Sequence, residues 1–398
     1  MTDHRTKWSL LLTATISYAL MMFAWFSLAA YLTPVIGDLG LTETQAGVIA
    51  GAVPLTYVPV ALLSGPLIDR VGPYRAIGAG MLLLGVAQLG RSVAVTFPTM
   101  LAFTVLLGIG ATGISFGLPK LVSALFPVDG GTPSAVYILG SIGGNAAAFS
   151  LGRGVLGPAI GGWRPLFVAT GIACLLYVVL WTVVVRLAAP DRSDWDVSGD
   201  MELGGIGRDV RTVVANPEMR LLMVIGVAYL MTIHGVSNWL TAVLESRGFR
   251  PGTAATVTSG FVITQAAGTL TIPPLADRLG RRSGVIAGCG LACAGGTVLL
   301  LLEGAPLTVL VVGVVAAGVG VGGLSPLIRL IPAEIEEIGP ALTGTAVGVT
   351  FSAGQVGGFV SPFLIGSLQD VTGSYLPGFL ILSGCCLGAA IAGRQLSV

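Results

Sequence analysis

One arginine stands alone in an apolar, glycine-rich run. In Gly144 to Gly162, GNAAAFSLGRGVLGPAIGG, Arg153 is the only charged residue. An arginine near the middle of a membrane helix costs about 2.5–3.5 kcal/mol on insertion scales, so it faces a protein interior or a watery cavity and answers to a partner. Three readings fit it. It can hold an anionic group, it can pack or gate helices while its donors are met by backbone carbonyls, or it can reach back to the outer interface.

Other groups repeat this theme more weakly. Lys120 in GLPKLV and Arg329 in LSPLIRL follow matching prolines near the inner ends of two apolar runs. They could converge as a pair of anion-holding cations, or lie at the membrane face where positive charge is ordinary. His234, the only histidine inside an apolar run, sits in MTIHGVSNWL with Asn238 and Trp239. It can donate a hydrogen bond, carry a proton, or be a buried and satisfied side chain. Trp25 and Tyr31, in an aromatic first run with Phe23 and Phe26, read either as cavity wall or as helix packing. Asn145, Gln265 and Gln355 are neutral hydrogen-bonding groups suited to bridging helices or touching a ligand.

The acids tell by position. All nineteen fall in loops, in one long polar stretch or at the ends of apolar runs, so the fixed charge inside the runs is solely positive. Such an interior suits an anion and disfavours a cation. The five cysteines, at 174, 289, 293, 385 and 386, lie in apolar segments without a CxxC pair, which makes them small core residues with neither a disulfide framework nor a metal site. No nucleophile-and-base motif is present, which argues against an enzyme. No cofactor and no nucleic-acid partner is expected.

What must position these side chains is a stack of membrane helices. With only 10% charged residues and a mean hydropathy of +0.90, the chain cannot be an ordinary soluble domain. Alternating strand-length segments are absent, which argues against a barrel. Apolar runs predict twelve spans, at about 9–35, 44–68, 75–94, 98–126, 132–158, 164–187, 219–244, 252–276, 283–302, 306–331, 341–367 and 374–393, each long enough to cross about 30 Å of hydrocarbon. The first run is long enough to span, so it is not read as a cleavable signal. The polar stretch 188–218 separates an amino-terminal bundle, 1–187, from a carboxy-terminal one, 219–398. Of the twenty Lys and Arg, Arg153 aside, fifteen fall on the side of the termini. Four fall opposite, namely Arg91, Arg164, Arg247 and Arg250. Both termini are therefore expected in the cytoplasm.

The halves repeat. Gly65-Pro66-Leu67-Ile68-Asp69-Arg70-Val71-Gly72 returns 208 residues later as Pro273-Pro274-Leu275-Ala276-Asp277-Arg278-Leu279-Gly280, and the same offset pairs Gly40 with Gly248. These paired loops, the twelve spans and the Gly157-Pro158 to Gly161-Gly162 ending of the fifth span resemble the major facilitator superfamily of secondary transporters. The resemblance covers essentially the whole chain. It implies an all-α membrane protein with two pseudo-symmetric six-helix bundles about a midplane site. It also implies gating roles for Asp69, Arg70, Gly72, Asp277, Arg278, Gly280, Gly157 and Pro158. The Asp residues of the loops are equally explained as turn acids capping a helix start.

A weaker likeness, from the intramembrane arginine and the aromatic first helix, is to the cyanate-permease and nitrate/nitrite-porter branches. The second and eighth spans lack the arginines of the nitrate porters. The expectation is thus a monomeric carrier of a small organic or inorganic anion in a prokaryotic inner membrane, working as an exchanger or with protons. The alternative is a proton-driven efflux pump for lipophilic compounds, which would need an intramembrane acid.

Overall fold

The computed structural model describes residues 4–61, 68, 70–128, 130–188, 203–302 and 304–397. Among these residues every regular element is a helix. In chain order they are α1 (His4–Ala30), α2 (Leu32–Leu39), α3 (Glu43–Ala61), α4 (Pro73–Val93), α5 (Phe97–Leu125) and α6 (Gly131–Ala147). A π-helical segment (Ala148–Leu156) runs into α7 (Gly157–Ile160), followed by α8 (Trp163–Ala188) and α9 (Leu203–Ala215). The later elements are α10 (Pro217–Ser246), α11 (Pro251–Leu279), α12 (Arg282–Leu299), α13 (Leu307–Leu330), α14 (Gly339–Thr372) and α15 (Leu376–Gln395).

Among the described residues each of the twelve expected spans contains a helix, and ten helices are long and apolar enough to cross a membrane. The remaining two spans are α3 and α11. Six threonines, Gln265 and the Pro273-Pro274 pair dilute the hydropathy of α11, and two prolines with Glu43, Thr44 and Gln45 dilute that of α3. The first span departs from a single uninterrupted run, breaking at Tyr31 between α1 and α2. Inside the polar stretch, α9 is an amphipathic helix that the composition did not announce.

The chain divides into two compact units, Met1–Leu39 with Leu63–Met201 and Gly40–Leu62 with Glu202–Val398. Within the first, α1 packs on α6, and α4 packs on both α5 and α8. Within the second, α10 packs on α14 and α15, α11 on α13, and α12 on α13 and α15. α3 runs along α14 in this second unit. Every residue of α10 from 228 to 244 is buried, so this part of the helix is enclosed, while Val224 nearer its start is exposed.

The 208-residue repeat is visible in the backbone. Gly40 and Gly248 have φ of 60° and 83°, and Gly72 and Gly280 have 82° and 58°, values that side chains with a Cβ disfavour. The ends of α4 and α12 also correspond. Arg164 donates from Nη1 to Ser92 O at 2.8 Å and Ala94 O at 3.0 Å, while Arg247 donates to Leu300 O at 2.6 Å and Leu301 O at 3.3 Å. Cations on the last carbonyls of a helix complement its dipole. Arg164 and Arg247, two of the arginines expected on the outer side, are therefore bound to helix ends. Arg91, also expected at the outer surface, lies in the last turn of α4 and is 0% exposed.

Candidate functional site

Arg153 owes its setting to a local break in helix geometry. Pro158 has no N–H, so the α-helical ladder above it cannot close, and the chain widens instead: the Gly157 N–H donates to Gly152 O, five residues back. Such π-helical turns often mark functional sites because they turn a side chain out of register. Arg153 is half-buried here, with its guanidinium carbon 4.6 Å from the centroid of the Tyr31 ring. A cation over an aromatic face gains about 0.5–2 kcal/mol, depending on desolvation.

Tyr31 is in turn locked. It is 2% exposed, and its hydroxyl donates to Gly152 O at 3.0 Å. Gly157 faces that hydroxyl so closely that no side chain fits there. The glycine expected in a gating role is thus one that admits the tyrosine beneath Arg153. Pro158 itself is exposed. Beside this group, Trp25 stacks on Phe26 with centroids 5.5 Å apart, and Phe26 lies 6.2 Å from Phe149 of the π-helical segment. Asn145, one turn before that segment, is 8% exposed, and its Oδ1 is buried without a hydrogen-bond partner among the described residues. The first unit thus sets Arg153 on Tyr31, and joins Trp25 and Phe26 to Phe149, four residues before Arg153. Lys120 is half-buried on α5.

In the second unit the expected residues separate into two places. His234 is 4% exposed on α10. A methyl at Gly358 of α14 would meet its Cδ2 at 2.7 Å, Pro54 Cβ of α3 at 3.1 Å and Gln355 Oε1 at 3.4 Å, so these four residues form one cluster. Asn238 joins it through Nδ2, which donates to His234 O at 2.7 Å. Trp239 does not behave as a wall residue. It is 0% exposed, its indole N–H donates to Pro362 O at 3.0 Å, and Tyr375 packs on its ring, so it holds α10 to α14. Arg329 is exposed near the end of α13, with its guanidinium 4.5 Å from the Phe351 ring centroid and Nη1 donating to Ser325 O at 2.9 Å.

Of the loop residues, Asp69 lies outside the described residues. Arg70 and Arg278 are exposed, and Gly72 and Gly280 provide the left-handed turns. Asp277 is bridged by Arg282 at 3.1 Å, and Arg282 also pairs with Glu334. A single arginine therefore ties the end of α11, the start of α12 and the loop after α13.

Two features escaped the sequence reading. Cys293 and Cys386, 93 positions apart, bring their Sγ atoms to 3.1 Å inside the second unit; both are free thiols. Asp370, near the end of α14, caps the start of α3. Its carboxylate accepts from Glu43 N at 3.0 Å, from Thr44 N at 2.7 Å and from Thr44 Oγ1 at 2.5 Å. A carboxylate on the first amides of a helix satisfies donors that have no intrahelical partner. Asp370→Ala is expected to lower the stability of the purified protein by about 1–2 kcal/mol. Asp370→Asn, which keeps an acceptor oxygen, should lose less, and a thermal unfolding series of the three proteins measures the order.

A helical membrane chain of this length, with paired turns at a fixed offset and an arginine held on an aromatic ring inside one bundle, has the build of a multi-pass transporter. The chain belongs to the Major Facilitator Superfamily, whose sequence profile matches residues 14–362. It is 27% identical to the gentisate transporter of Corynebacterium glutamicum over 89% of this chain and 80% of that one. It is 26% identical to the 3-(3-hydroxy-phenyl)propionate transporter of Escherichia coli over 86% and 83% of the two chains. The cyanate transport protein CynX of Escherichia coli is 23% identical over 88% of each, in line with the weaker resemblance noted above. The crystal structure of a mutant of the nucleoside transporter NupG superposes with a TM-score of 0.81 at 14% identity, covering 99% of this chain and 100% of that one, which supports the fold. The protein is a membrane transporter and not an enzyme.

Proposed function

We propose that this transporter carries a small organic anion, a compact carboxylate with an aromatic or similarly flat body, through a site in which Arg153 holds the negative group. The observation that carries this reading is the guanidinium of Arg153, 4.6 Å over the Tyr31 ring on a π-helical segment whose Phe149 meets Phe26. A fixed cation set against aromatic faces offers a carboxylate its counter-charge and a ring its stacking surface. The named substrates of two relatives, gentisate and 3-(3-hydroxy-phenyl)propionate, are of this kind, and cyanate marks the small end of the range.

His234, Asn238 and Gln355 form a neutral polar cluster within the second unit. Transport proceeds by alternating access of the two bundles, 1–187 and 219–398, with 188–218 as their cytoplasmic linker. Both termini lie in the cytoplasm of a bacterial cell whose inner membrane the protein spans, and the anion moves by exchange or with protons. The Asp277–Arg282–Glu334 bridge holds helix ends together within the second unit.

The test is counterflow in proteoliposomes. Purified protein is loaded with unlabelled benzoate-type, short aliphatic or inorganic anions, and exchange of a labelled aromatic carboxylate is followed. The expected result is saturable exchange of aromatic carboxylates that inorganic anions compete for weakly. Exchange confined to lipophilic cations or neutral compounds would replace this reading with drug efflux.

A further inference from the structure

The first unit holds a second guanidinium that the proposed transport site does not use. Arg91 is 0% exposed at the end of α4, between α1 and α8. Arginine stays charged in proteins, so this is a permanent buried cation. Among the described residues no carboxylate pairs with it. Its partners are neutral. Nη1 donates to Gln88 Oε1 at 3.0 Å and to Ala24 O at 3.3 Å, and the guanidinium carbon lies 5.0 Å from the centroid of the Phe167 ring. Gln88 is itself anchored, with Nε2 donating to Ser27 Oγ at 3.3 Å.

The remaining donors are the informative ones. Nε and Nη2 are both buried and have no hydrogen-bond partner among the described residues. Those two nitrogens make up one edge of the planar guanidinium, the edge that forms two parallel N–H···O bonds with a carboxylate or other planar oxyanion. Nη1 is fixed to α1 and to Gln88, so the unpaired, buried Nε–Nη2 edge has a set direction. A buried charge whose remaining donors stay unmet is strongly unfavourable, whereas an oxyanion on that edge answers both the charge and the two N–H groups.

We propose that the Nε–Nη2 edge of Arg91 is a binding site for a small planar oxyanion of the formate or nitrate class, enclosed in the first unit and separate from Arg153. The site makes oxyanion binding and the stability of the α1–α4–α8 packing one linked equilibrium. It is independent of the transport reading, because Arg153 contributes none of its atoms.

The experiment uses full-length protein carrying Arg153→Ala, so that the proposed transport site cannot report. Thermal unfolding is followed against rising formate and nitrate, with chloride, a spherical anion, at the same ionic strength as reference. Formate and nitrate should raise the melting temperature saturably above chloride, since a ligand of the folded state stabilises it by linkage. In the Arg153→Ala/Arg91→Lys protein, which keeps the charge and loses the fork, half-saturation should move up by about tenfold or more. The proposal is overturned if formate and nitrate match chloride in the Arg153→Ala protein, or if Arg91→Lys leaves the half-saturation where it was. Should Arg91→Lys fail to fold, the comparison of planar with spherical anions still decides.

Discussion

Replacing Arg153 by alanine is expected to abolish measurable exchange of the anionic substrate while leaving a folded protein. Truncating one partner of a desolvated charge pair costs about 2–5 kcal/mol, which lowers apparent affinity by roughly thirtyfold to several thousandfold. The protein itself should tolerate the change, because Arg153 is only half-buried and the backbone contacts of the turn, Tyr31 Oη to Gly152 O and Gly157 N to Gly152 O, do not involve its side chain. Arg153→Lys separates charge from shape. Lysine keeps the positive charge but not the planar group that stacks on Tyr31 and offers a fork to a carboxylate, so an intermediate loss is expected. The readouts are counterflow rates and the substrate-induced shift in melting temperature for the three proteins. Wild-type exchange by Arg153→Ala would remove the residue from the site and leave it as a packing or interfacial arginine.

How far the sequence could go is best judged residue by residue. The helices were legible because membrane spans are written in run length and in the scarcity of charge, and the repeat was legible because Gly72 and Gly280, like Gly40 and Gly248, stand where the chain needs φ above zero. The pairing of Arg153 with Tyr31 was not, since it joins two distant positions of the chain across a break that no composition signal announces. Its traces were indirect: Gly157-Pro158 foretells a disturbed ladder, and Gly157 is where a tyrosine hydroxyl comes to rest. Trp239 was a candidate wall residue through its place on the seventh span beside His234, yet it is 0% exposed and its N–H donates to Pro362 O. Arg91 misled in the opposite way. Two residues from a helix end it reads as a surface cation, and only the packing of α1 and α8 over it reveals a buried charge. Side chains that act across helices are fixed by crossing geometry, and crossing geometry is not a local property of sequence.

The second large effect concerns α3 and α14. A Cβ on Gly51 would stand 2.8 Å from Phe359 O and 3.0 Å from both its Cα and Cδ2, and one turn earlier a Cβ on Gly47 would stand 2.9 Å from Phe363 Cα. Both glycines thus meet backbone, which cannot swing aside as a side chain can. In a membrane, small residues at such crossings let helices approach closely enough for dispersion to hold them. Gly51→Val must push α3 off α14, and with it Pro54 from the Gly358–His234 cluster and the α3 amino terminus from Asp370. Overpacking costs about 1–3 kcal/mol where neighbours can shift and more where they are backbone. The expected outcome is a fall of several degrees in melting temperature together with at least about tenfold slower exchange. Gly143→Ala on α6, where nothing beyond its own stretch of helix lies within 4 Å of the added carbon, is the control. It should be neutral or slightly stabilising, since alanine favours a helix over glycine by about 0.5–1 kcal/mol. Gly51→Val with unchanged melting temperature would mean that α3 does not rest on α14 at this distance. A lowered melting temperature with normal exchange would mean that the contact supports the fold but is not one the transport cycle depends on.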